Sequence, residues 1–334
     1  MEAVEVVGKP RVSYAEFVSQ QYPQQGSVAW FIDRRIAESR KPGARPILPS
    51  HYYTLKRLQR APIGKRPAAE LVPLDLIDHG RLRKAGVTHM GTPVKPQTVR
   101  QDFTYLRSMV RTFVDLDELP ESALNVFRKA NRLLQREQLI AKAQARERRP
   151  EPDELVRIYA AIDAMRCKIP LRALVEFSLA SGRRIGESCR LKWADLDEVK
   201  RTCLVRDLKN AAGKGFHGEF PLLGRAWEIV QAQPRVSEFI FSMQPKKDAA
   251  WKQVCSRTVT AAYIRVKKKA GLHGENLRLH DNRAETFSRM FEDGYSVPEV
   301  QQVSLHKGDA KTLLVHYTRL RPESLHNGPA SKRQ

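Results

Sequence analysis

The sequence is short of cysteine, of acidic residues and of long apolar runs. Its cysteines, Cys167, Cys189, Cys203 and Cys255, are scattered and form no CxxC pair. That spacing argues against a disulfide framework and against a zinc site, so the thiols read as small buried hydrophobes or idle groups. No stretch approaches the roughly 18 consecutive apolar residues that would span a bilayer. The opening MEAVEVVGKPRVSYAEF has no basic-then-apolar order of a secretion signal. A cytoplasmic protein with no membrane partner is the expectation. Internal repeats and long low-complexity tracts are also missing, and no strand-rich run precedes residue 200. The acid deficit is the largest bulk signal. Asp and Glu total 37 against 59 Lys and Arg, a formal net charge of +22. Such an excess favours a polyanionic partner, because each neutralised phosphate releases condensed counterions. Charge by itself does not separate DNA from RNA or an anionic membrane. The basic residues run through both halves of the chain, as expected of a protein that grips its partner with both.

What is present is enough apolar residue, 41% of 334, for packed cores, and length enough for two domains. The first part reads as helical. Helices are predicted at Val28–Ser39, His51–Gln59, Asp75–Ala85, Thr98–Val114 and Ser122–Ala141, with breaks at Lys41–Leu48 and Ala61-Pro62-Ile63-Gly64. In Thr98–Val114, Val99, Phe103, Leu106, Val110 and Phe113 fall three or four apart and mark one buried stripe. The charged, Pro-terminated run Arg146-Glu147-Arg148-Arg149-Pro150 is the candidate linker. Beyond it, a helix starting at Glu151-Pro152-Asp153-Glu154 has proline and acids in its first turn. Leu171–Ala180 is an apolar helix ended by Ser181-Gly182, and Ile185–Leu191 resumes it. Thr202–Leu208 and Glu219–Leu222 read as strands of a hairpin around the turn Asn210–Gly218. Helices follow at Lys252–Ala270, capped by Gly271, and at His280–Asp293. A last one starts at Ser296, with Glu299 at capping-box spacing.

In the second part, single positions stand out for their place rather than their type. Arg184 follows the break at Gly182-Arg183, and Lys209 opens the hairpin turn. His280 and Arg283 lie three apart at a helix start and share a face. His306 and Tyr317 come late, with a helix-like stretch between them. Taken singly, an Arg or Lys in so basic a chain is a solvated charge, a lone His a satisfied or exposed side chain, and a Tyr in an amphipathic stretch packing.

Their order is more informative. SGRRIGE, a hairpin with LKN, then LHDNRAE, VSLHK and HYTRL resembles the catalytic domain of the tyrosine recombinase (phage integrase) family, over about residues 148–322. The longer text SRMFEDGYSVPEVQQVSLHK matches the family's spacing too. The resemblance implies a mainly α fold with a small β-sheet (α+β). It implies a helical DNA-binding (core-binding) domain over 1–147, a catalytic domain over 148–322 and a polar tail over 323–334, the two domains forming a C-shaped clamp on duplex DNA. It implies a site-specific DNA recombinase that cuts and rejoins strands through a 3′-phosphotyrosine, with four protomers assembled on two DNA sites. Carried over by position, Arg184 and Arg283 clamp the scissile phosphate, Lys209 is the general acid, His280 and His306 are the remaining active-site histidines, and Tyr317 is the nucleophile. Glu187 is structural. Several positions depart from the family: Ala284 stands where a second His is usual, Asn282 replaces a Leu, Leu305 replaces a Gly, and Tyr317 lies eleven positions after His306, about two more than usual. The hairpin also holds Lys214, an alternative acid.

The chemistry suits these residue types. Phosphodiester transfer builds charge on two non-bridging oxygens, where planar guanidinium groups donate bidentate hydrogen bonds. A protonated tyrosine is a poor nucleophile and a deoxyribose oxygen a poor leaving group, so a base and an acid both help. With two arginines and a lysine supplying the electrostatics, no metal or other cofactor is called for. The competing readings are a type IB topoisomerase, a DNA-binding architectural or regulatory protein without chemistry, and a metal-dependent nuclease using His280, Asp281, His306 and Asp309. The last lacks close ligand spacing.

Sulfur at the 5′-bridging position tests the acid, because a thiolate leaves without one. Lys209→Ala should cleave ordinary DNA about 100-fold more slowly or worse and recover most of its rate on the sulfur substrate. Arg184→Ala should not recover. Rescue of Lys214→Ala in its place would assign the acid to Lys214.

Overall fold

The computed structural model describes residues 23–44, 46–87, 92–143, 146–208, 216–246, 248–306 and 310–327. The chain divides between Gln144 and Ala145 into two compact units.

The first unit holds helices α1 (Val28–Glu38), α2 (Pro49–Arg60), α3 (Pro73–Ala85), α4 (Pro96–Val114) and α5 (Ser122–Arg136). Proline sits in the first turn of α2, α3 and α4, where a missing N–H costs nothing. This is why α3 begins at Pro73 rather than at Asp75. The stripe on α4 is buried as its spacing requires, and Phe113 stacks against Phe31 at 4.8 Å between ring centroids. Asp102 lies on the same buried face. It accepts from Arg57 Nη2 at 2.5 Å and Arg83 Nε at 2.9 Å, and His79 Nε2 stands at 3.3 Å, so one carboxylate ties α2, α3 and α4. Burial works to raise its pKa, but His79, Arg57 and Arg83 hold it below the usual carboxylate range. Helix α5 ends at Arg136 rather than running to Ala141. Gln138 turns into the left-handed region and the Leu139 N–H bonds back to Leu134 O at 2.9 Å, folding buried Leu139 over Gly80.

The second unit holds α6 (Pro152–Asp163), α7 (Leu171–Ser181), α8 (Ile185–Ser188), β1 (Leu196–Asp197), β2 (Thr202–Val205), β3 (Gly218–Pro221), α9 (Arg225–Gln231), β4 (Ser242–Met243), β5 (Lys252–Gln253), α10 (Ser256–Lys269), α11 (Asp281–Glu292), α12 (Val297–Ser304) and α13 (Lys311–Tyr317). The predicted hairpin is the centre of an antiparallel sheet β1-β2-β3, with Cys203 opposite Phe220 and Val205 opposite Gly218. The Leu208 N–H bonds to Phe216 O at 2.8 Å below the turn. Residues 209–215, including Lys209 and Lys214, lie outside the described residues. Two ends differ from expectation. Helix α8 stops at Ser188 because the chain beyond is drawn into extended pairing: Leu191 O accepts from the Ile240 N–H at 2.9 Å and Lys192 bridges Phe239. The helix predicted from Lys252 starts at Ser256, since Lys252–Gln253 pairs with β4. The capping box at Ser296 forms, its N–H donating to Glu299 Oε2 at 2.7 Å. Cys189 and Cys203 are buried free thiols, and burial pushes both up to about 12.

The run read as a linker is bound into this second unit. Arg146 forks onto Asp281 at 3.0 and 2.7 Å. Arg149 is buried. Among the described residues, no helix is long and apolar enough to cross a membrane.

Gly182 closes α7 with φ +64°, and a Cβ there would lie 2.7 Å from Cζ of fully buried Phe287. Backbone strain and overpacking add, so Gly182→Ala should lower the unfolding free energy by about 2–4 kcal/mol. Denaturant titration measures it. An unchanged midpoint would contradict the packing described.

Candidate active site

The left-handed turn at Gly182 ends α7 and delivers two arginines in succession. Arg183 points inward and is 1% exposed. Its guanidinium donates to Val303 O and lies over the Phe220 ring at 4.7 Å. Arg184 points outward at the head of α8. Its backbone N–H and Nη1 both reach Glu187, at 3.3 and 2.8 Å, so the buried glutamate is a bracket for Arg184. Burial works against the charge on Arg184, but Glu187 and the nearby Tyr317 hydroxyl raise its pKa. Glu187 is held ionised against burial by Arg183, Arg184 and Arg283.

Helix α11 supplies the next two groups. Arg283, 2% exposed, donates from Nη1 to Gly182 O at 2.6 Å and from Nη2 to Ser304 O at 3.0 Å. Its Nη2 also stands 3.3 Å from His306 Nε2, and its guanidinium lies over the Tyr317 ring at 5.0 Å. Burial, with Arg183 and Arg184 nearby, pushes Arg283 down to about 9, still protonated at neutral pH. His280, immediately before α11, keeps one side open to solvent. Its Nε2 is 3.5 Å from the Tyr317 hydroxyl. Partial desolvation, then Arg283 and Arg184, lower its pKa.

His306 follows α12. An arginine is an obligate donor, so Nε2 facing Arg283 is the acceptor and Nδ1 carries the proton toward Ser304 Oγ at 2.9 Å. Burial and the guanidinium groups of Arg283, Arg184 and Arg183 push the imidazole down to about 3. Tyr317, the last residue of α13, packs its ring edge-on to Phe287 at 6.0 Å. Its carbonyl accepts from Ser288 Oγ at 3.2 Å.

Arg184, His280, Arg283 and His306 thus gather around Tyr317, His280 at its hydroxyl and Arg283 and His306 against its ring. Lys209 lies outside the described residues, as does Asp309 of the nuclease reading. Among the described residues, no group of three or more His, Cys, Asp or Glu is placed to hold a metal ion. Sequence reasoning missed Arg183, Ser304 and Ser288. Only the doubled arginine of SGRR hinted at the first, and the serines carry no signal without their backbone partners.

A profile of the phage integrase family matches residues 148–324, more than half of the chain. The chain belongs to that family. Among phage integrase relatives, the shufflon-specific DNA recombinase of Escherichia coli is 25% identical over 276 residues, 81% of this chain and 63% of that protein. The integrase of Escherichia phage lambda is 24% identical over 171 residues, 51% of this chain and 47% of that protein. The chain therefore spans less than two thirds of the length of these relatives. Of solved structures, the Tn1549 transposon integrase in complex with transposon right end DNA aligns with a TM-score of 0.64 at 15% identity, over 92% of this chain and 99% of that one. A lambda integrase tetramer bound to a Holliday junction aligns at 0.64 and 17% identity, over 93% and 83%. These likenesses show the fold, mainly helical with a small sheet.

The departures from the integrase pattern have visible settings. Asn282 is buried and donates to Ser178 Oγ at 2.8 Å, tying α11 to α7, and Ala284 is buried beside it. Leu305 takes the left-handed conformation, φ +58°, that a glycine would adopt without cost. Its side chain lies over Gly218 at the start of β3, next to Leu208. The long spacing from His306 does not keep the Tyr317 phenol from Arg184 and His280.

A histidine whose folded pKa falls from about 6.5 to about 3 is favoured neutral by the fold. Its contribution to stability is whole above pH 6.5 and is lost as pH falls toward 3. NMR of the His306 ring should report the neutral Nδ1–H tautomer at pH 5. An imidazolium signal there would overturn the assignment.

Proposed function

We propose that this protein is a site-specific DNA recombinase that cuts and rejoins duplex DNA through Tyr317, without a metal. The observation that carries the proposal is the convergence of Arg184, His280 and Arg283 on one tyrosine. In this reading Arg184 and Arg283 hold the two non-bridging oxygens of the scissile phosphate, where charge builds as the pentacovalent state forms. Neutral His280 takes the phenolic proton. The Tyr317 oxygen bonds to phosphorus, the bond to the 5′ oxygen breaks, and Lys209 protonates that oxygen as it leaves. The 3′-phosphotyrosine keeps the energy of the diester, so a 5′ hydroxyl from a second strand attacks it and restores Tyr317. His306, as a neutral acceptor, orients the guanidinium of Arg283.

Residues 1–147 serve as a helical DNA-binding domain and 148–322 as the catalytic domain. The net charge of +22 supports a partner rich in phosphate. We also propose a homotetramer on DNA. The lambda integrase relative, whose structure is a tetramer on a Holliday junction, supports that assembly.

The test uses a duplex selected by this protein from a random-sequence pool, carrying sulfur at the 5′-bridging position so that the adduct persists. Wild type should give a covalent protein–DNA adduct that survives denaturing electrophoresis and EDTA. Tyr317→Phe should bind the duplex and give none. An adduct in that variant, mapped to another residue such as Tyr295, would overturn the assignment.

A further inference from the structure

Tyr317 ends a short helix whose own anchoring is slight. Among the residues of α13, only Leu313 is buried. What holds the phenol in place therefore has to come from outside the helix, and the chain just after it is unusually well tied. Ser288 Oγ on α11 donates to Tyr317 O and accepts from the Arg319 N–H at 2.9 Å. The Arg321 N–H donates to Glu292 Oε1 at 2.9 Å. Arg321 Nη2 also pairs with Glu151 at 2.9 Å, and a further tie comes from Arg149, 170 residues earlier in the chain than Arg319.

Arg149 is 6% exposed. Its Nε donates to Glu285 Oε2 at 2.5 Å. Its two terminal nitrogens fork onto Glu292 at 2.6 and 3.0 Å. Nη1 also donates to Arg319 O at 2.7 Å. Glu285 and Glu292 lie seven residues apart, two turns along one face of α11, so a single planar guanidinium spans both. The same helix carries Arg283 and Phe287 toward the phenol. A lysine would keep the charge, but its compact ammonium lacks the rigid fork needed to meet two carboxylates and a carbonyl at once. Buried and paired, this arginine sends its hydrogen bonds to Glu285, Glu292 and the Arg319 carbonyl, none of them a group described around the phenol.

We propose that Arg149 is a positioning residue for the nucleophile: by fixing the Arg319 carbonyl against α11, it sets where the Tyr317 hydroxyl stands relative to Arg184 and His280. The proposal rests on the reading of Tyr317 as the nucleophile. It assigns to the run after Gln144 a part in the chemistry, beyond joining the two units.

The experiment compares two nucleophiles in one site. Adduct formation by Tyr317 is timed in a single turnover on a nicked form of the selected duplex, whose short released strand diffuses away. In a Tyr317→Phe background, hydrogen peroxide is supplied as a diffusible nucleophile that attacks the same phosphorus and needs no tethered phenol. Arg149→Lys should slow adduct formation by about 10-fold or more, the scale of loss that a displacement of under 1 Å brings. It should change peroxide-driven cleavage and duplex affinity by less than about 3-fold. Glu292→Gln, which keeps the shape and removes one charge partner, should slow adduct formation in the same selective way and to a smaller extent. Adduct formation at the wild-type rate in Arg149→Lys would overturn the proposal. So would equal losses with both nucleophiles, which would make Arg149 a support of the whole site. If wild type itself forms no adduct at Tyr317, the reading of the nucleophile has failed instead, and the two failures are told apart.

Discussion

Two hydrogen bonds from one buried guanidinium hold the candidate site together. Arg283 donates to the carbonyls of Gly182 and Ser304, which belong to the ends of two different helices. Those ends are the points from which Arg184 and His306 project. The bonds use carbonyls that helix geometry leaves unsatisfied at a C-terminus, and the negative ends of the helix dipoles suit a cation. Arg283 thereby fixes the spacing of its neighbours while sitting 5.0 Å over the ring of Tyr317. Without it, the two ends from which Arg184 and His306 project would lose the partner they share on α11.

The electrostatics follow from that choice. Arg183, Arg184 and Arg283 surround a single carboxylate, Glu187, so the centre carries excess positive charge. Arg283 Nε and Arg183 Nε and Nη1 are buried without a hydrogen-bond partner. A centre of this kind costs stability, since uncompensated buried charge is expensive. Burial first, and the same excess after it, lower the pKa of His280 and His306. Stability is given up at the candidate site, a trade expected where function is built.

Much of the fold could be read from periodicity and punctuation. The α4 stripe, the Ser296 box and the Gly182 stop were visible because each depends on residues close in sequence. The pairing of β4 with β5 was not, because two-residue strands carry no period and exist only through a partner ten residues away. The helices that stopped early, α5 and α8, did so for tertiary reasons: Leu139 packs over Gly80, and Leu191 is taken by Ile240. The site was legible as an ordered set of motifs, whereas its supports were not. Ser288, Ser304 and Arg149 act through backbone carbonyls and amides, which sequence does not display. The charged run at Arg146–Pro150 read as a linker because only the folded chain reveals the carboxylates that bind it.

Leu305 links two positions that sequence spacing keeps far apart. Its left-handed backbone favours glycine, yet its side chain fills the space over Gly218, where a Cβ would meet Leu305 Cδ1 at 3.0 Å. Shrinking residue 305 would relieve the backbone and open a gap beside β3, and enlarging residue 218 would close that gap. A Cβ at 218 would also meet Leu208 Cδ1 at 2.9 Å, so pairing the two changes removes the Leu305 contact and leaves the one with Leu208. Residues 208, 218 and 305 therefore constrain one another, and a return to the glycine usual in the family at 305 calls for repacking on the hairpin.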